Sequence, residues 1–182
     1  MGLTSISAWR AEATRLSSEA FAERLGGPVL VHRARLEGDL HFMGPDGTAR
    51  LQRPGSTLIH VPRVNARDRM SQPPDPNRAD LPDESVYVLD SDVVTVGRSS
   101  ARDLVLGDYS VSSLHARVFV VSDTDWVFVV DQGSRNGTGH NGRPLVQGER
   151  AELITGDEVC FGREVLVFLN RGDLYRYLTD TL

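Results

Sequence analysis

The chain has 182 residues, a formal net charge of −5 and 40% hydrophobic residues, which is enough for one core or for one domain with a substantial extension. The negative charge argues against general nucleic-acid binding. All 20 basic residues are arginine, because the sequence contains no lysine. This excludes sites that require lysine, such as a phosphate-binding P-loop or a Schiff base.

Three features predict a cytoplasmic protein with no membrane partner. No apolar run reaches the roughly 20 residues that a membrane span requires. The first residues do not combine a basic start with an apolar stretch, as a secretory signal does. The single cysteine, Cys160, has no partner for an internal disulfide.

The first 84 residues are predicted to form an N-terminal extension. Apolar residues at spacings of three and four predict an amphipathic helix over about residues 4–25, ended by Gly26 and Gly27. The helix either docks on the main domain or contacts a partner. Short strands are expected at 29–34 and 57–61, and a polar, proline-rich linker at about 63–84. The apolar stripe of the helix consists of Ile6, Trp9, Ala13, Leu16 and Ala20.

Residues 85–170 are predicted to form an antiparallel β-sandwich, because short β-branched runs alternate with turns. In the run at 126–131 both faces are apolar, which indicates a strand that is covered on each side. Residues 171–182 are predicted to form a short C-terminal helix, with leucines at every fourth position and Asp173 as its cap. The predicted strands are 86–89, 93–96, 103–106, 115–121, 126–131, 152–154, 158–161 and 165–169.

Three motifs lie at strand ends, at 97–99, 112–115 and 131–142, and a sandwich brings such loops together at one end. Arg98 offers a planar fork of donors that matches a phosphate. Ser112 offers a hydroxyl donor, and Asn136 an amide that can hold a peptide main chain. No nucleophile–base pair is evident among them. The set therefore predicts a site for a dianion on an extended peptide.

Gly97-Arg98, Ser112-x-x-His115 and Asn136-Gly137, in this order, resemble the signature of forkhead-associated (FHA) domain proteins of the bacterial type. The resemblance covers about residues 85–169 and includes Asp131, Ser134, Thr138 and Asn141-Gly142. It implies an eleven-stranded β-sandwich that binds phosphothreonine peptides on its loops. The implied phosphopeptide-binding residues are Arg98, Ser112, Ser113, Arg135 and Asn136, and the implied structural supports are Gly97, His115, Gly137 and Thr138.

The sequence departs from the family pattern in three places. Ser113 stands where many members have arginine, which removes one positive charge. Arg135 stands where serine or threonine is usual, and it either restores that charge or is a solvated turn residue. Gly139 and His140 replace bulky apolar residues, which predicts a weakened local strand and a solvated histidine.

The function predicted from these features is phosphothreonine-dependent protein–protein interaction in serine/threonine kinase signalling. The implied partner is a phosphothreonine-containing protein, either the kinase or its substrate. No enzyme is expected, since five histidines and one cysteine show no metal-ligand spacing and no G-x-S-x-G elbow is present. We therefore expect no catalytic residues, no metal and no cofactor. The alternative is a phosphate-independent scaffold or a dimerisation module that uses the N-terminal helix.

Overall fold

A computed structural model of the chain describes residues 4–35, 85–121, 124 and 126–179. The predictions at 57–61 and 63–84 lie outside the described residues. None of the described helices combines the length and the hydropathy that crossing a membrane requires. The helices are α1 (Ile6–Ala13), α2 (Ser18–Leu25) and α3 (Arg171–Thr179). The strands are β1 (Thr4–Ser5), β2 (Val29–Arg35), β3 (Ser85–Val88), β4 (Val93–Gly97), β5 (Leu104–Val105), β6 (Ala116–Val120), β7 (Val127–Asp131), β8 (Thr138–His140), β9 (Arg143–Pro144), β10 (Arg150–Leu153), β11 (Glu158–Phe161) and β12 (Glu164–Leu169).

The strands form two sheets of a β-sandwich, which confirms the predicted fold class. One sheet has the order β1-β3-β2-β12-β11-β8-β9, and the other has the order β10-β7-β6-β4-β5. All neighbours pair antiparallel except β4 and β5, which are parallel. Successive side chains along a strand point to opposite faces of the sheet, so every second side chain points inward. The inward-pointing side chains of the two sheets together form one core. Residues such as Leu30, Val118, Val129, Phe161 and Leu166 fill this core, and each is almost fully buried. The count of eleven strands stays a prediction.

The seven-stranded sheet includes residues on both sides of the predicted boundary at 84/85. Strand β2 lies between β3 and β12, and its register pairs Val31 with Val86 and with Val167. The residues before 85 therefore contribute an internal strand to the sandwich as well as the two helices that precede it.

The predicted helix over 4–25 is two helices, which corrects that prediction. The first helix ends at Ala13, and the Ser17 side chain accepts a hydrogen bond from the Ala20 backbone N–H and so caps the start of α2. Ile6, Trp9 and Ala13 of the apolar stripe are nevertheless buried, and its other two residues are half-buried. Ile6, Trp9 and Phe21 pack against the outer face of the seven-stranded sheet and against α3. The structure thus supports docking on the domain over contact with a partner.

The C-terminal helix is confirmed, but its cap is different. Asn170, not Asp173, caps the helix, because its side-chain oxygen accepts from the Asp173 backbone N–H at 2.8 Å. Leu174 and Leu178 are fully buried in the same cluster as the N-terminal helices. Leu182 lies outside the described residues.

The burial of Phe21 generates the first prediction. Phe21→Ala should lower the free energy of unfolding by about 3–5 kcal/mol, because this fully buried ring contacts Trp9 and Tyr175 and would leave a cavity. Leu16→Ala, at the half-buried edge of the same cluster, should cost less. Urea unfolding followed by circular dichroism measures both. A separate early transition for the helices in Phe21→Ala, with the sandwich unaffected, would show that the helices and the sandwich are independent units.

Candidate functional site

The three motifs meet at one end of the sandwich, here called the loop end: residues 97–99 after β4, residues 108–115 before β6, and residues 131–137 after β7. Antiparallel pairing of β4 with β6 and of β6 with β7 sets this position. Backbone bonds then hold the loops together. The Arg98 N–H donates to the Ser112 carbonyl at 2.9 Å, and the Gln132 N–H donates to the His115 carbonyl at 2.9 Å.

Gly97 allows the first two loops to approach each other closely. A Cβ atom at this position would lie 2.4 Å from the Ser113 carbonyl oxygen, well inside van der Waals contact. Gly97 ends β4, so any larger residue would push the 112–115 loop away from Arg98. The predicted supporting role of Gly97 thus has a steric basis.

His115 joins the second loop to the third. Its ring is fully buried and packs edge-on against Phe161. Nδ1 accepts from the Ser112 backbone N–H at 3.1 Å, which requires that Nε2 carry the proton and donate to the Gly137 carbonyl at 3.0 Å. Burial lowers the pKa of His115, and the Gly137 carbonyl and the Asp131 carboxylate oppose this only in part.

Asp131 organises the turn that contains Arg135 and Asn136. One carboxylate oxygen accepts from the Gly133 and Ser134 backbone N–H groups, and the other accepts from the Ser134 and Thr138 hydroxyls at 2.6 and 2.7 Å. Burial would raise the pKa of Asp131, but these hydrogen bonds outweigh it and lower the pKa. Thr138 is fully buried. Its neighbour Gly137 has a φ of 77°, a conformation that favours glycine.

Direct hydrogen bonds also connect the second loop with the third. The Ser112 hydroxyl accepts from the Arg135 backbone N–H at 2.9 Å. The Asn136 side-chain amide donates to the Ser110 carbonyl at 2.7 Å. Ser113 is exposed in the same loop. The structure therefore brings together all of the residues that the sequence proposed for this site.

Two arginine side chains at the loop end are exposed. Arg98 is oriented by a bond from Nε to the Val111 carbonyl at 3.2 Å. Among the described residues, neither Arg98 nor Arg135 forms an ion pair. Their guanidinium groups can therefore receive an anion from solution.

Sequence reasoning missed a further support under the second loop. Arg163, in the β11–β12 turn, forms an ion pair with Asp108 at 2.9 Å, and its backbone N–H donates to the Ser110 hydroxyl. Its guanidinium also lies 4.4 Å from the centre of the exposed Tyr109 ring. These contacts span more than fifty residues, and the only sequence signal for them is the turn at Gly162.

His140 is not a solvated loop residue, which corrects that expectation. It lies on β8, paired with β11, and its Nε2 is 2.8 Å from the Asp157 carboxylate. Asn141 also donates to Asp157, at 2.7 Å. These contacts and the Gly142 turn lie at the far end of β8 from Gly137, so Asn141 and Gly142 support the sheet and not the loop end.

The close approach at Gly97 generates the second prediction. Gly97→Ala should lower the free energy of unfolding by about 1–3 kcal/mol, because the added methyl group overlaps the Ser113 carbonyl. Gly107→Ala is the matched control. Its Cβ would meet no atom within 4 Å, so a change of no more than about 0.5 kcal/mol is expected. Equal effects in chemical unfolding would contradict the steric argument.

The buried imidazole generates the third prediction. Its folded pKa lies below the unfolded value of 6.5, so its contribution to stability is complete above that pH and is lost as the pH falls below it. His115→Gln removes this titration. We therefore expect the difference in unfolding free energy between the wild type and His115→Gln to shrink from about pH 7.5 to about pH 5.5. Parallel pH profiles in urea unfolding would contradict a neutral, buried His115.

Comparison with known proteins agrees with this geometry. The family model for the FHA domain matches residues 94–162. An oxoglutarate dehydrogenase inhibitor from Corynebacterium jeikeium is 34% identical over 134 residues, which cover 73% of this chain and 77% of the relative. The glycogen accumulation regulator GarA from Mycobacterium tuberculosis is 36% identical over 117 residues, which cover 64% of this chain. The chain spans 59% of the length of that mycobacterial relative.

Among solved structures, the FHA domain of the CT664 protein from Chlamydia trachomatis aligns with a TM-score of 0.46 and 28% identity. The alignment covers 50% of this chain and 89% of that one. The family match lies on the strands and loops that form the loop end, and the corynebacterial relative aligns over most of its own length. The chain belongs to the family of FHA-domain proteins.

Proposed function

We propose that the loop end binds phosphothreonine-containing segments of partner proteins and that the chain acts as an interaction module in serine/threonine kinase signalling. The observation that carries the proposal is the pair of exposed arginines, Arg98 and Arg135, which form no ion pair with any described residue and lie beside loops whose backbone is already fixed. A phosphate dianion is the group that such a pair of planar cations recognises best.

Within the described part of the chain, the Ser112 hydroxyl donates its proton to no partner, so this proton is available to a ligand. Its oxygen already accepts from the Arg135 backbone N–H. The same hydroxyl can still donate its own proton, and a phosphate oxygen is a suitable acceptor. Ser113, exposed in the same loop, is proposed as a second phosphate contact.

Asn136 is proposed to hold the main chain of the peptide. One N–H of its amide is directed to the Ser110 carbonyl, which fixes the orientation of the group. The second N–H and the amide oxygen remain as a donor and an acceptor for an extended backbone. A small pocket for the threonine methyl group would add about 0.8 kcal/mol of preference over serine.

We also infer that the chain acts by binding and not by catalysis. At the loop end, both ring nitrogens of His115 and both carboxylate oxygens of Asp131 are engaged with neighbouring groups. Neither is placed as a base beside the Ser112 hydroxyl. The two relatives described above are named as a regulator and an inhibitor. A cytoplasmic location belongs to the same proposal, because the kinases concerned would phosphorylate their targets there.

The N-terminal helix as the main partner surface is the weaker candidate. Its apolar stripe, which includes Trp9, is buried against the sheet and α3. A partner would have to displace these contacts before it could bind the helix.

The fourth prediction tests the phosphate dependence. Hydrogen bonds to charged groups contribute about 1.5–3 kcal/mol each, so two or three supply much of the roughly 8 kcal/mol of a micromolar complex. A phosphothreonine peptide should therefore bind at least about a hundredfold more tightly than its unmodified twin. Calorimetric titration of both peptides, selected from a phosphopeptide array, measures the difference. Equal affinities would overturn the proposal.

Variants locate the effect within the loop end. Arg98→Ala should weaken phosphopeptide binding by at least about tenfold and leave the thermal midpoint nearly unchanged, because the side chain is exposed. Arg135→Ala should weaken it as well if this residue supplies the charge that Ser113 lacks. Arg10→Ala, which removes an exposed arginine from α1, is the control and should bind as the wild type does.

A further inference from the structure

The outer face of the five-stranded sheet carries a cluster of exposed apolar side chains. Trp126 and Ile154 are 60% and 65% exposed, and Val93 and Val121 are 42% and 40% exposed. Phe119 and Phe128 are half-buried. We call these six residues the outer patch.

The strand register places the outer patch on one continuous surface. Val93 pairs with Phe119, and Phe119 pairs with Phe128, so these three lie side by side across β4, β6 and β7. Two residues farther along β6, the Val121 N–H donates to the Trp126 carbonyl, so these two residues form the next row of the surface. The ring centres of Trp126 and Phe128 are 6.3 Å apart. The alternate residues of the same strands, such as Val94, Val118 and Val129, face the core.

This surface differs from the outer face of the other sheet. On the seven-stranded sheet, the outer face of β2, β3 and β12 is covered by α1, α2 and α3, whose apolar side chains pack against it. The side chains of the outer patch stay exposed, although a sheet face that meets water is normally polar. A contiguous apolar surface of this kind marks an interaction site in a folded protein.

We propose that the outer patch binds the same surface of a second copy of this chain, related by a two-fold axis that runs along the strands between β6 and β7. The order β10-β7-β6-β4-β5 makes β10 and β4 equally distant from that axis. The rotation therefore lays β7 over β6 and β10 over β4 of the second copy. Phe128 then faces Phe119 of the second copy, and Trp126 faces its Val121, so apolar groups meet at these positions. Arg117 and Glu152, which are exposed on the same face, lie opposite Val130 and Val93 of the second copy.

The charges on the two flanks fit this axis. Arg150 on β10 is exposed, and the strand register puts it in one row with Val130, Arg117 and Thr95 of the neighbouring strands. The exposed carboxylate of Asp103 continues this row beyond Thr95, where it accepts hydrogen bonds from the Thr95 N–H and hydroxyl. The rotation places each Arg150 over Thr95 of the second copy, about one strand spacing of 4.8 Å from its Asp103, which the long arginine side chain can reach. A surface that carries a cation on one flank and a carboxylate within its reach on the other favours pairing with itself.

The arrangement has a geometric consequence. Two sheets that pack face to face lie about 10 Å apart. Because the axis runs along the strands, the loop ends of both copies lie at the same end of the dimer. Two anion sites would then face one partner, and bivalent binding would strengthen the interaction beyond the affinity of one site. Only this consequence depends on the proposed function; the dimer itself does not.

The fifth prediction is that the full chain forms a dimer through the outer patch. Sedimentation equilibrium from about 1 to about 300 µM should show a monomer–dimer equilibrium, as expected for an interface of modest size. Ile154→Glu should raise the dimer dissociation constant at least about tenfold, because a two-fold interface contains the substitution twice. Val146→Glu is the matched control, since Val146 is 64% exposed but lies outside the patch, and it should dimerise as the wild type does. Thermal midpoints check that both variants fold.

Tryptophan fluorescence identifies what covers the patch. The chain has two tryptophans, and Trp9 is only 7% exposed, so iodide quenching reports on Trp126. Quenching should decrease as the dimer forms. A monomer over the whole range, or a dimer that Ile154→Glu leaves intact, would overturn the proposal. So would a monomer in which Trp126 is protected at every concentration, since another part of the chain would then cover the face.

Discussion

The arrangement of the candidate site depends on the buried imidazole of His115. Its two ring nitrogens bind the Ser112 N–H and the Gly137 carbonyl, so one side chain sets the distance between the second loop and the third. Because burial keeps the ring neutral, the proton stays on one nitrogen and the two bonds keep their direction. The direct bond from Arg135 to Ser112 can form only when this distance is correct. The loops are thus held in place before any ligand arrives, which reduces the entropy cost of binding.

The charge at the loop end follows from how the carboxylates near it are used. Asp131 accepts hydrogen bonds from Gly133, Ser134 and Thr138, and Asp108 is paired with Arg163. Their negative charge therefore serves the internal structure of the turns and does not neutralise the exposed arginines. Arg163 in turn is committed to Asp108. This leaves Arg98 on one loop and Arg135 on the facing loop as the cations directed to solvent, so an anion held between them would contact both loops at once.

Most of the sandwich could be predicted from the sequence because its signals are local. The β-branched runs predict strands such as Glu158–Phe161, and the observed strand bounds agree with the predicted ones within one or two residues. The loop motifs lie where the ends of those strands meet. The remainder depends on contacts between distant residues. The pair of Asp108 with Arg163 and the pairing of β2 with β12 leave no pattern in either segment alone. The break between α1 and α2 was missed because the apolar spacing continues through Leu16, whereas the Ser17 cap decides where the second helix begins.

One disagreement between sequence and structure carries information about assembly. Both faces of the strand at 126–131 are apolar, which predicts a strand covered on each side, yet Trp126 on the outer face is 60% exposed. The same alternation puts Val127 and Val129 together on the opposite face, and in the structure that face is buried in the core. On the seven-stranded sheet, an outer face of the same kind is covered by three helices of this chain. The five-stranded sheet carries the outer patch on its outer face, and a second copy that packs on it would give the strand the cover that its sequence predicts.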